Sequence, residues 1–319
     1  MMDKGRKLCD KRLQKIESKI TKEYEKALKD MQKKSRKYFE RFREQDEIKR
    51  DLVEKGQLEK ELYIGWRKNK FVNGQYYNDM ISSLSQSLQQ ARQSAEKIIN
   101  NNLPYIYAES SNFAAYQVEN KLKINAKFAL VDQYAVKELL AHNTKLLPKP
   151  TTNIAKVNKW NRQKLNSAIL QGILQGESIP NIARRLKRVS NMSKAASIRN
   201  ARTMTTAAEN RGRVDSYKDA EKKGIQLHQR WMAVHDDRTR DSHRLMDGEV
   251  QKIGERFSNG CRYPADPTGE PSEVYNCRCS LEAVIDDYPD DYYANFQRVG
   301  DMSYEEWKSS KRKKGDSYD

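Results

Sequence analysis

The sequence predicts a mainly α-helical protein with a small C-terminal α+β module, in which long charged helices precede a compact, loop-rich sheet domain. Of its 319 residues only 37% are hydrophobic and 33% are charged. This composition suits helices with one narrow apolar stripe better than a doubly wound sheet. Apolar residues recur every three or four positions up to about residue 222, whereas the chain beyond residue 225 alternates and is rich in Gly, Pro, Asp and Asn. These two patterns predict that the helices come first along the chain and the strands last.

The first sixty residues form a proline-free segment dominated by Lys, Glu, Arg and Gln. Apolar residues in steps of three and four define one helical stripe, formed by Leu13, Ile16, Ile20, Tyr24, Ala27 and Met31. The first fifty residues contain 18 basic and ten acidic side chains. Two interpretations compete: a helix that packs its stripe on a partner helix, including self-association, or an arm that contacts nucleic acid.

Breaks separate the later helices. The Asn-Gly pair within residues 71–77 favours a turn, and three Asn and a Pro end a helix at residues 100–104. Residues 146–152 are the best candidate for a hinge, because Pro148 and Pro150 each push the preceding residue toward an extended conformation. Helical periodicity covers residues 84–98, 113–122, 131–140, 157–173, 182–189 and 193–222.

Serines are predicted to start the last two helices. Ser178 is placed as an N-cap with Pro180 in the first turn, and Ser193 begins the long helix that Gly224 closes. Residues 226–234 and 280–285 then have the alternation of β-strands, and residues 249–253 form a third candidate strand.

The predicted organisation has four consecutive parts. They are a basic helical N-terminal region (1–147), a helical linker region (148–225), a sheet module (226–286) and an exposed tail (287–319). The tail is predicted to be exposed because it is first acidic and then basic.

The charge balance points to a polyanionic partner. Lys and Arg number 61 against 44 Asp and Glu, which gives a net charge of +17, so nucleic acid is the leading candidate. Four cysteines are too few for a disulfide framework. No segment approaches the roughly 18 apolar residues that a membrane crossing needs, so we expect no membrane partner and synthesis in a reducing cytoplasm. Walker-type and dinucleotide glycine motifs are absent.

The C-terminal segment carries four motifs in series: D-R-T-R-D-S-H at 237–243, D-G at 247–248, Y-P-A-D-P at 263–267 and N-C-R-C at 276–279. With the upstream run I-R-N-A-R-T-M-T-T-A-A-E-N-R-G-R, they resemble the phage head-morphogenesis family, also called the Mu protein F-like or minor head protein family. The resemblance covers about residues 155–286. The residues that it singles out are Trp231, Asp237, Arg238, Thr239, Arg240, His243, Asp247, Gly248, Pro264, Asn276, Cys277, Arg278 and Cys279.

The resemblance implies a phage minor head protein that acts in procapsid assembly and head morphogenesis. Its implied partners are the portal protein, the scaffold or major capsid protein, and DNA bound non-specifically through phosphates. It would be found in the host cytoplasm during assembly and then inside the phage head. A helical half that serves only as a coiled-coil interaction module, without a DNA role, is the alternative. Some relatives carry a toxin or transferase domain after N-C-R-C, for which we expect no room here.

The cysteines of N-C-R-C are candidate metal ligands. Cys277 and Cys279 lie two residues apart, so in an extended strand they face the same side. Together with His243 and Cys261 they would supply four ligands of the kind that tetrahedral Zn²⁺ takes. Some relatives have a cysteine where this chain has Arg240, which cannot be a ligand. The preferred interpretation is therefore that no cofactor binds and that the thiols are small buried side chains, with a structural Zn²⁺ as the alternative.

The loop around the first motif is rich in charge. A buried network with Arg278 is predicted for Asp237, Arg238, Arg240, Asp241 and Asp247. The enzymatic alternative is a metal-dependent nuclease that uses His235, Asp236 and His243. We prefer a structural protein without catalytic residues, because a dense Asp, Arg and His loop is more often a satisfied turn and no further nuclease motif is present.

Overall fold

The computed structural model describes residues 4–72, 74–148, 154–175, 177–286 and 289–312. Within these residues the α-helices are α1 (Lys4–Glu54), α2 (Lys60–Val72), α3 (Gln75–Asn100), α4 (Leu103–Leu122), α5 (Gln133–His142), α6 (Ile154–Leu174), α7 (Ile179–Lys222), α8 (Asp241–Leu245), α9 (Pro271–Val274) and α10 (Tyr304–Lys311). The strands are β1 (Ile124–Asn125), β2 (Leu227–Met232), β3 (Val250–Lys252), β4 (Ser280–Ile285) and β5 (Gln297–Arg298). The structure is mainly α-helical with a small C-terminal α+β part, which confirms the predicted fold class.

The predicted helix breaks lie where the sequence places them. Helix α2 ends at Val72 and α3 begins at Gln75, while α3 ends at Asn100 and α4 begins at Leu103. Residues 149–152 of the predicted hinge lie outside the described residues. Among the described helices, none has an apolar run of the length that a bilayer crossing requires.

The chain divides into two compact units. The motif unit contains residues 1–17, 99–150 and 199–319, and the helical unit contains residues 18–98 and 151–198. Each unit combines segments that are distant along the chain, whereas the predicted division used consecutive stretches.

The helical unit buries the stripe predicted for α1. Its core contains Ile20, Tyr24, Ala27 and Met31 of α1, Leu84 and Leu88 of α3, Leu165 and Ile169 of α6, and Ile182 and Leu186 of α7. The hydroxyl of Tyr24 lies 2.9 Å from that of Ser197, so the one polar group in the stripe is hydrogen-bonded. The stripe therefore serves a packed core, as the first interpretation of the sequence predicted.

Helix α7 is continuous from Ile179 to Lys222, so the prediction that a new helix starts at Ser193 is wrong. The hydroxyl of Ser193 does not cap a helix start; it donates to the Oδ1 of Asn161 at 2.9 Å. No glycine or proline interrupts residues 181–211, so nothing in the backbone forces a break there. The predicted start at Ser178 agrees with the structure.

The motif unit contains a three-stranded antiparallel sheet in the order β3-β2-β4. In its register Arg230 lies opposite Val250, and Trp231 lies opposite Leu281. All three predicted strands are present. Alternate residues of β2, including Gln229 and Trp231, are fully buried, because successive side chains of a strand point to opposite faces.

Part of the C-terminal segment that its charge predicts to be exposed is packed, although most of its described residues are exposed. Helix α10 starts with a capping box between Ser303 and Glu306, and it buries Trp307. The indole of Trp307 donates to the carboxylate of Glu119, which also pairs with Lys311 at 2.9 Å. The lysines that suggested exposure instead neutralise buried carboxylates, and their aromatic neighbours supply the apolar contact.

Candidate metal centre

Helix α7 holds the N-C-R-C segment by its backbone. The hydroxyl of Thr203 accepts a hydrogen bond from the N–H of Asn276 at 2.8 Å. One turn later, the hydroxyl of Thr206 donates to the carbonyl of Cys277 at 2.8 Å. Both threonines are buried, so these bonds satisfy backbone groups that water does not reach.

The same helix face continues along β4, which is an edge strand of its sheet. The side-chain amide of Asn210 donates to the carbonyl of Cys279 at 3.2 Å and accepts from the N–H of Leu281 at 2.8 Å. Arg213 then donates to the carbonyl of Leu281 at 3.0 Å. The side-chain amide of Asn210 thus forms the two hydrogen bonds that a neighbouring strand would form, and it satisfies backbone groups at this edge of the sheet.

A buried ion cluster backs this arrangement. The carboxylate of Glu209 lies 3.1 Å from the guanidinium of Arg6 in α1 and 3.5 Å from that of Arg213. Arg6 also donates to the carbonyls of Arg278 and Cys279. All three charged side chains are buried, so the first turns of α1 complete the packing around a motif more than 270 residues away.

The structure brings three of the four predicted ligands together. His243 at the centre of α8, Cys277 and Cys279 are all buried. The Nδ1 atom of His243 lies 3.7 Å from the Sγ of Cys277 and 3.4 Å from the Sγ of Cys279. The three donor atoms lie within 4.8 Å of one another. On the other side of the ring, Nε2 lies 2.9 Å from a carboxylate oxygen of Glu273.

The two thiols of the cluster differ in acidity. A hydrogen bond from Cys277 and the neighbouring His243 lower the pKa of Cys279 to about 5, against the opposing effect of burial. Burial raises the pKa of Cys277 well above its ordinary value. The surroundings of the pair thus favour the thiolate form at Cys279 and the thiol form at Cys277.

The fourth predicted ligand lies elsewhere. Cys261 is buried, but its thiol is not part of the described group formed by His243, Cys277 and Cys279. Its Sγ packs against Gly269, where an added Cβ would stand only 2.4 Å away. Burial raises the pKa of Cys261 to about 12, so it is a protonated thiol in a packed loop.

The predicted partners of Arg278 are wrong. Its guanidinium makes a bidentate ion pair with Asp236, with two N···O distances of 2.6 Å, and this pairing holds the pKa of Asp236 well below its usual range. Asp237 and Asp241 are exposed instead. Because Asp236 and Asp237 are adjacent and identical, only the turn of the loop decides which one faces Arg278.

Other motif residues shape the loop. Asp247 accepts from the N–H of Ala233 at 2.7 Å, and Gly248 follows with a φ of +85° that favours glycine. Thr239 donates to the carbonyl of Val234, and Arg240 donates to the carbonyl of Tyr275. Arg238 is exposed. Most of these side chains therefore bind backbone rather than one another.

The Y-P-A-D-P motif forms a second closed loop. Pro264 is buried beside Asp266, whose carboxylate accepts hydrogen bonds from Arg262 and Thr268 at 2.8–3.0 Å. Although burial opposes it, these bonds lower the pKa of Asp266 to about 2. The motif aspartate is thus a structural acceptor.

The residues proposed for a nuclease do not converge. His235 is exposed and pairs with Asp247 at 2.9 Å, Asp236 is occupied by Arg278, and His243 is buried. The geometry therefore supports a folded scaffold more than a nuclease site built on these three residues.

Sequence reasoning missed two groups of functional residues. Glu273 of α9 lies 2.9 Å from the Nε2 of His243, and no local pattern connects the two residues. The polar row on α7 had a detectable signal, because Thr203, Thr206, Asn210 and Arg213 follow helical spacing within an otherwise buried segment.

Comparison with known proteins agrees with the motif. A family profile described as "Phage Mu protein F like protein" matches residues 163–282. "Minor head protein GP7" of Bacillus phage SPP1 is 25% identical over 288 residues, which cover 88% of this chain and 85% of that protein. "NAD(+)--arginine ADP-ribosyltransferase EFV" of Enterococcus faecalis (strain ATCC 700802 / V583) is 29% identical over 126 residues, 39% of this chain and 26% of the transferase. No solved structure gives a significant match.

The profile match gives the class of the motif-bearing segment: residues 163–282 are Mu protein F-like in sequence. The chain is similar to the phage minor head protein family, which agrees with the resemblance predicted from the sequence. Its similarity to GP7, a phage head protein, extends over most of its length. Because the match to the transferase spans about a quarter of that enzyme, it does not carry the enzyme's activity to this chain.

Proposed function

We propose that this protein acts in procapsid assembly and head morphogenesis as a portal-associated minor head protein that binds DNA non-specifically. The observation that carries the proposal is the similarity to a minor head protein over 88% of the chain. The scaffold or major capsid protein is a second partner class. The protein would act in the host cytoplasm during assembly and then inside the head.

Capture by the portal protein tests the assembly role. We expect the full-length chain to be retained by immobilised portal protein of the same phage in 0.5 M salt, where exposed charge pairs are screened within about 3–5 Å. An unrelated acidic protein, immobilised in the same way, serves as the control surface. Equal retention on both surfaces, or none on the portal, would contradict portal association.

A groove in the helical unit supports the DNA part of the proposal. It has a volume of about 590 Å³, and its lining includes Lys37 and Arg41 of α1, Lys70 of α2, and Tyr76 of α3. Among the described residues, none of these three cations forms an ion pair with a carboxylate. Tyr76 is 72% exposed at the rim.

The chemistry of this groove fits a nucleic-acid backbone. Cations without carboxylate partners can neutralise phosphates and release the counterions that those phosphates hold. An exposed aromatic ring next to them offers a sequence-tolerant contact to sugar or base. Base-specific recognition requires bidentate side chains that reach the base edges in a groove of the duplex, and the proposal includes no such recognition.

Replacing the groove cations should weaken DNA binding and its salt dependence. For Lys37→Gln/Arg41→Gln/Lys70→Gln we expect the slope of log K against log salt to become shallower by about 3, since each lost phosphate contact removes about 0.9. Fluorescence anisotropy with a labelled duplex, between low and moderate salt, measures the slope.

The matched control for this variant is Lys19→Gln/Lys22→Gln/Lys29→Gln, which removes the same charge from exposed positions of α1. The control should keep most of the slope. Equal losses in both variants would show that net charge and not the groove binds DNA, and a flat salt response of the natural chain would remove DNA as a partner.

A further inference from the structure

We propose that His243, Cys277 and Cys279 bind one zinc ion through Nδ1 and two Sγ atoms, and that Glu273 orients the histidine from its other nitrogen. This inference goes beyond the proposed role in head assembly and does not depend on it. It also revises the ligand set that the sequence suggested. Cys261 is removed from the set, which leaves three protein ligands, and Glu273 is added as a residue that contacts the histidine and not the metal.

The distances between the donor atoms suit the ion. At bond lengths of about 2.3 Å to sulfur and about 2.1 Å to nitrogen, two ligands of a tetrahedral zinc ion stand about 3.6 Å apart. The Nδ1 atom of His243 lies 3.4 Å and 3.7 Å from the two Sγ atoms. A small adjustment of the side chains, without movement of the backbone, would therefore place a common ion between the three donors.

The second nitrogen of the histidine has the partner that a ligating imidazole usually has. Nε2 of His243 lies 2.9 Å from Oε2 of Glu273, and a carboxylate in that place directs the lone pair of Nδ1 toward the metal. Glu273 is itself held, because Ser242 and Asn259 donate to its oxygens at 3.1–3.3 Å. The carboxylate of Glu273 is thus held beside Nε2 from outside the cluster, and a small rotation of the ring would align the two groups for a hydrogen bond.

The charges also balance. Two thiolates neutralise a divalent ion, so the loaded site adds no net charge to a buried position, which would otherwise be costly. Three protein ligands leave the fourth position of the ion to a small exogenous ligand such as water.

The backbone around the ligands is already in place. Thr206 binds the carbonyl of Cys277, and Asn210 binds that of Cys279. Neither bond involves a thiol, so α7 presents both sulfurs before any ion arrives. Trp231 closes the site, with its ring centroid 5.3 Å from that of His243 in an edge-on contact. This closed wall excludes bulk water from the thiolates.

The test uses the full-length chain purified under reducing conditions, stripped with a chelator and reloaded with Zn²⁺ or Co²⁺. We expect about one Zn²⁺ per chain by elemental analysis. The Co²⁺ form should show the thiolate-to-metal charge-transfer band and the visible bands of a tetrahedral thiolate complex. Less than about a tenth of an equivalent of Zn²⁺ after reloading, or a Co²⁺ spectrum without the thiolate band, would overturn the proposal.

Variants assign the ligands. Cys277→Ser and Cys279→Ser should each lose the bound metal, whereas Cys261→Ser, which changes an equally buried cysteine outside the cluster, should keep about one equivalent. Glu273→Gln should keep the stoichiometry but weaken the affinity by about 10–100-fold. Because the spectrum of the natural chain reports the thiolates directly, the proposal remains testable if a serine variant fails to fold. Metal loss in Cys261→Ser alone would refute this ligand set.

Discussion

Glu209→Ala is expected to lower the free energy of unfolding by about 3–5 kcal/mol, the cost of removing one partner from a buried ion pair. Glu209 lies between the guanidinium groups of Arg6 and Arg213, and all three side chains are buried. Without the carboxylate, two positive charges would remain close together away from water. Urea denaturation of the full-length chain, followed by circular dichroism, measures the change.

A surface ion pair provides the control for this substitution. The side chains of Arg50 and Glu54 are 62% and 70% exposed, so Glu54→Ala should cost less than about 1 kcal/mol. Glu209→Gln, which keeps the shape and removes the charge, should be nearly as damaging as Glu209→Ala. If Glu209→Ala cost no more than Glu54→Ala, the buried cluster would not support the motif unit.

Trp231→Ala is expected to cost about 3–5 kcal/mol of the free energy of unfolding, the range for deletion of a large buried aromatic side chain. Trp231 is completely buried in the centre of the sheet, and its ring meets those of His243 and Phe257 edge-on at 5.3 and 5.2 Å. The cavity would open next to the cysteine cluster. The same denaturation experiment measures the loss.

Trp231→Phe separates packing from the indole itself, and should recover much of the stability because it refills most of the volume. Trp160→Ala is the matched tryptophan control, since Trp160 is half-buried in the helical unit and its loss should cost less. A Trp231→Ala protein as stable as the Trp160→Ala protein would contradict the central position of Trp231 in the motif unit.

Several features followed from local sequence patterns. The spacing of Ile20, Tyr24, Ala27 and Met31 predicted the buried stripe of α1, because the faces of a helix depend only on residues three and four positions apart. The Asn-Gly pair and the segment of three Asn and a Pro predicted where α2 and α3 end, because these residues restrict or alter the conformation of the backbone at their own positions. The order of the C-terminal motifs predicted the similarity to the minor head protein family, because such motifs are a property of the sequence alone.

The site could be predicted only in part. The alternation of a strand places Cys277 and Cys279 on one side, and His243 was a compatible ligand, so three members of the cluster were predictable. Neither the exclusion of Cys261 nor the contribution of Glu273 had a local signal. Both depend on which distant segments of the chain come into contact. The entropic cost of closing a long loop changes little with its length, so many such contacts have a similar cost.

By itself, the sequence determined the helical character, the positions of the main breaks, the three strands of the sheet and the resemblance to the minor head protein family. Tertiary structure alone decided that Asp236 and not Asp237 pairs with Arg278, that Arg6 lies beside Glu209, and that Trp307 is buried. The physical reason is the range of the interactions. Helix faces and turns depend on neighbouring residues, whereas a buried charge or ring is stable only where a distant segment supplies its partner.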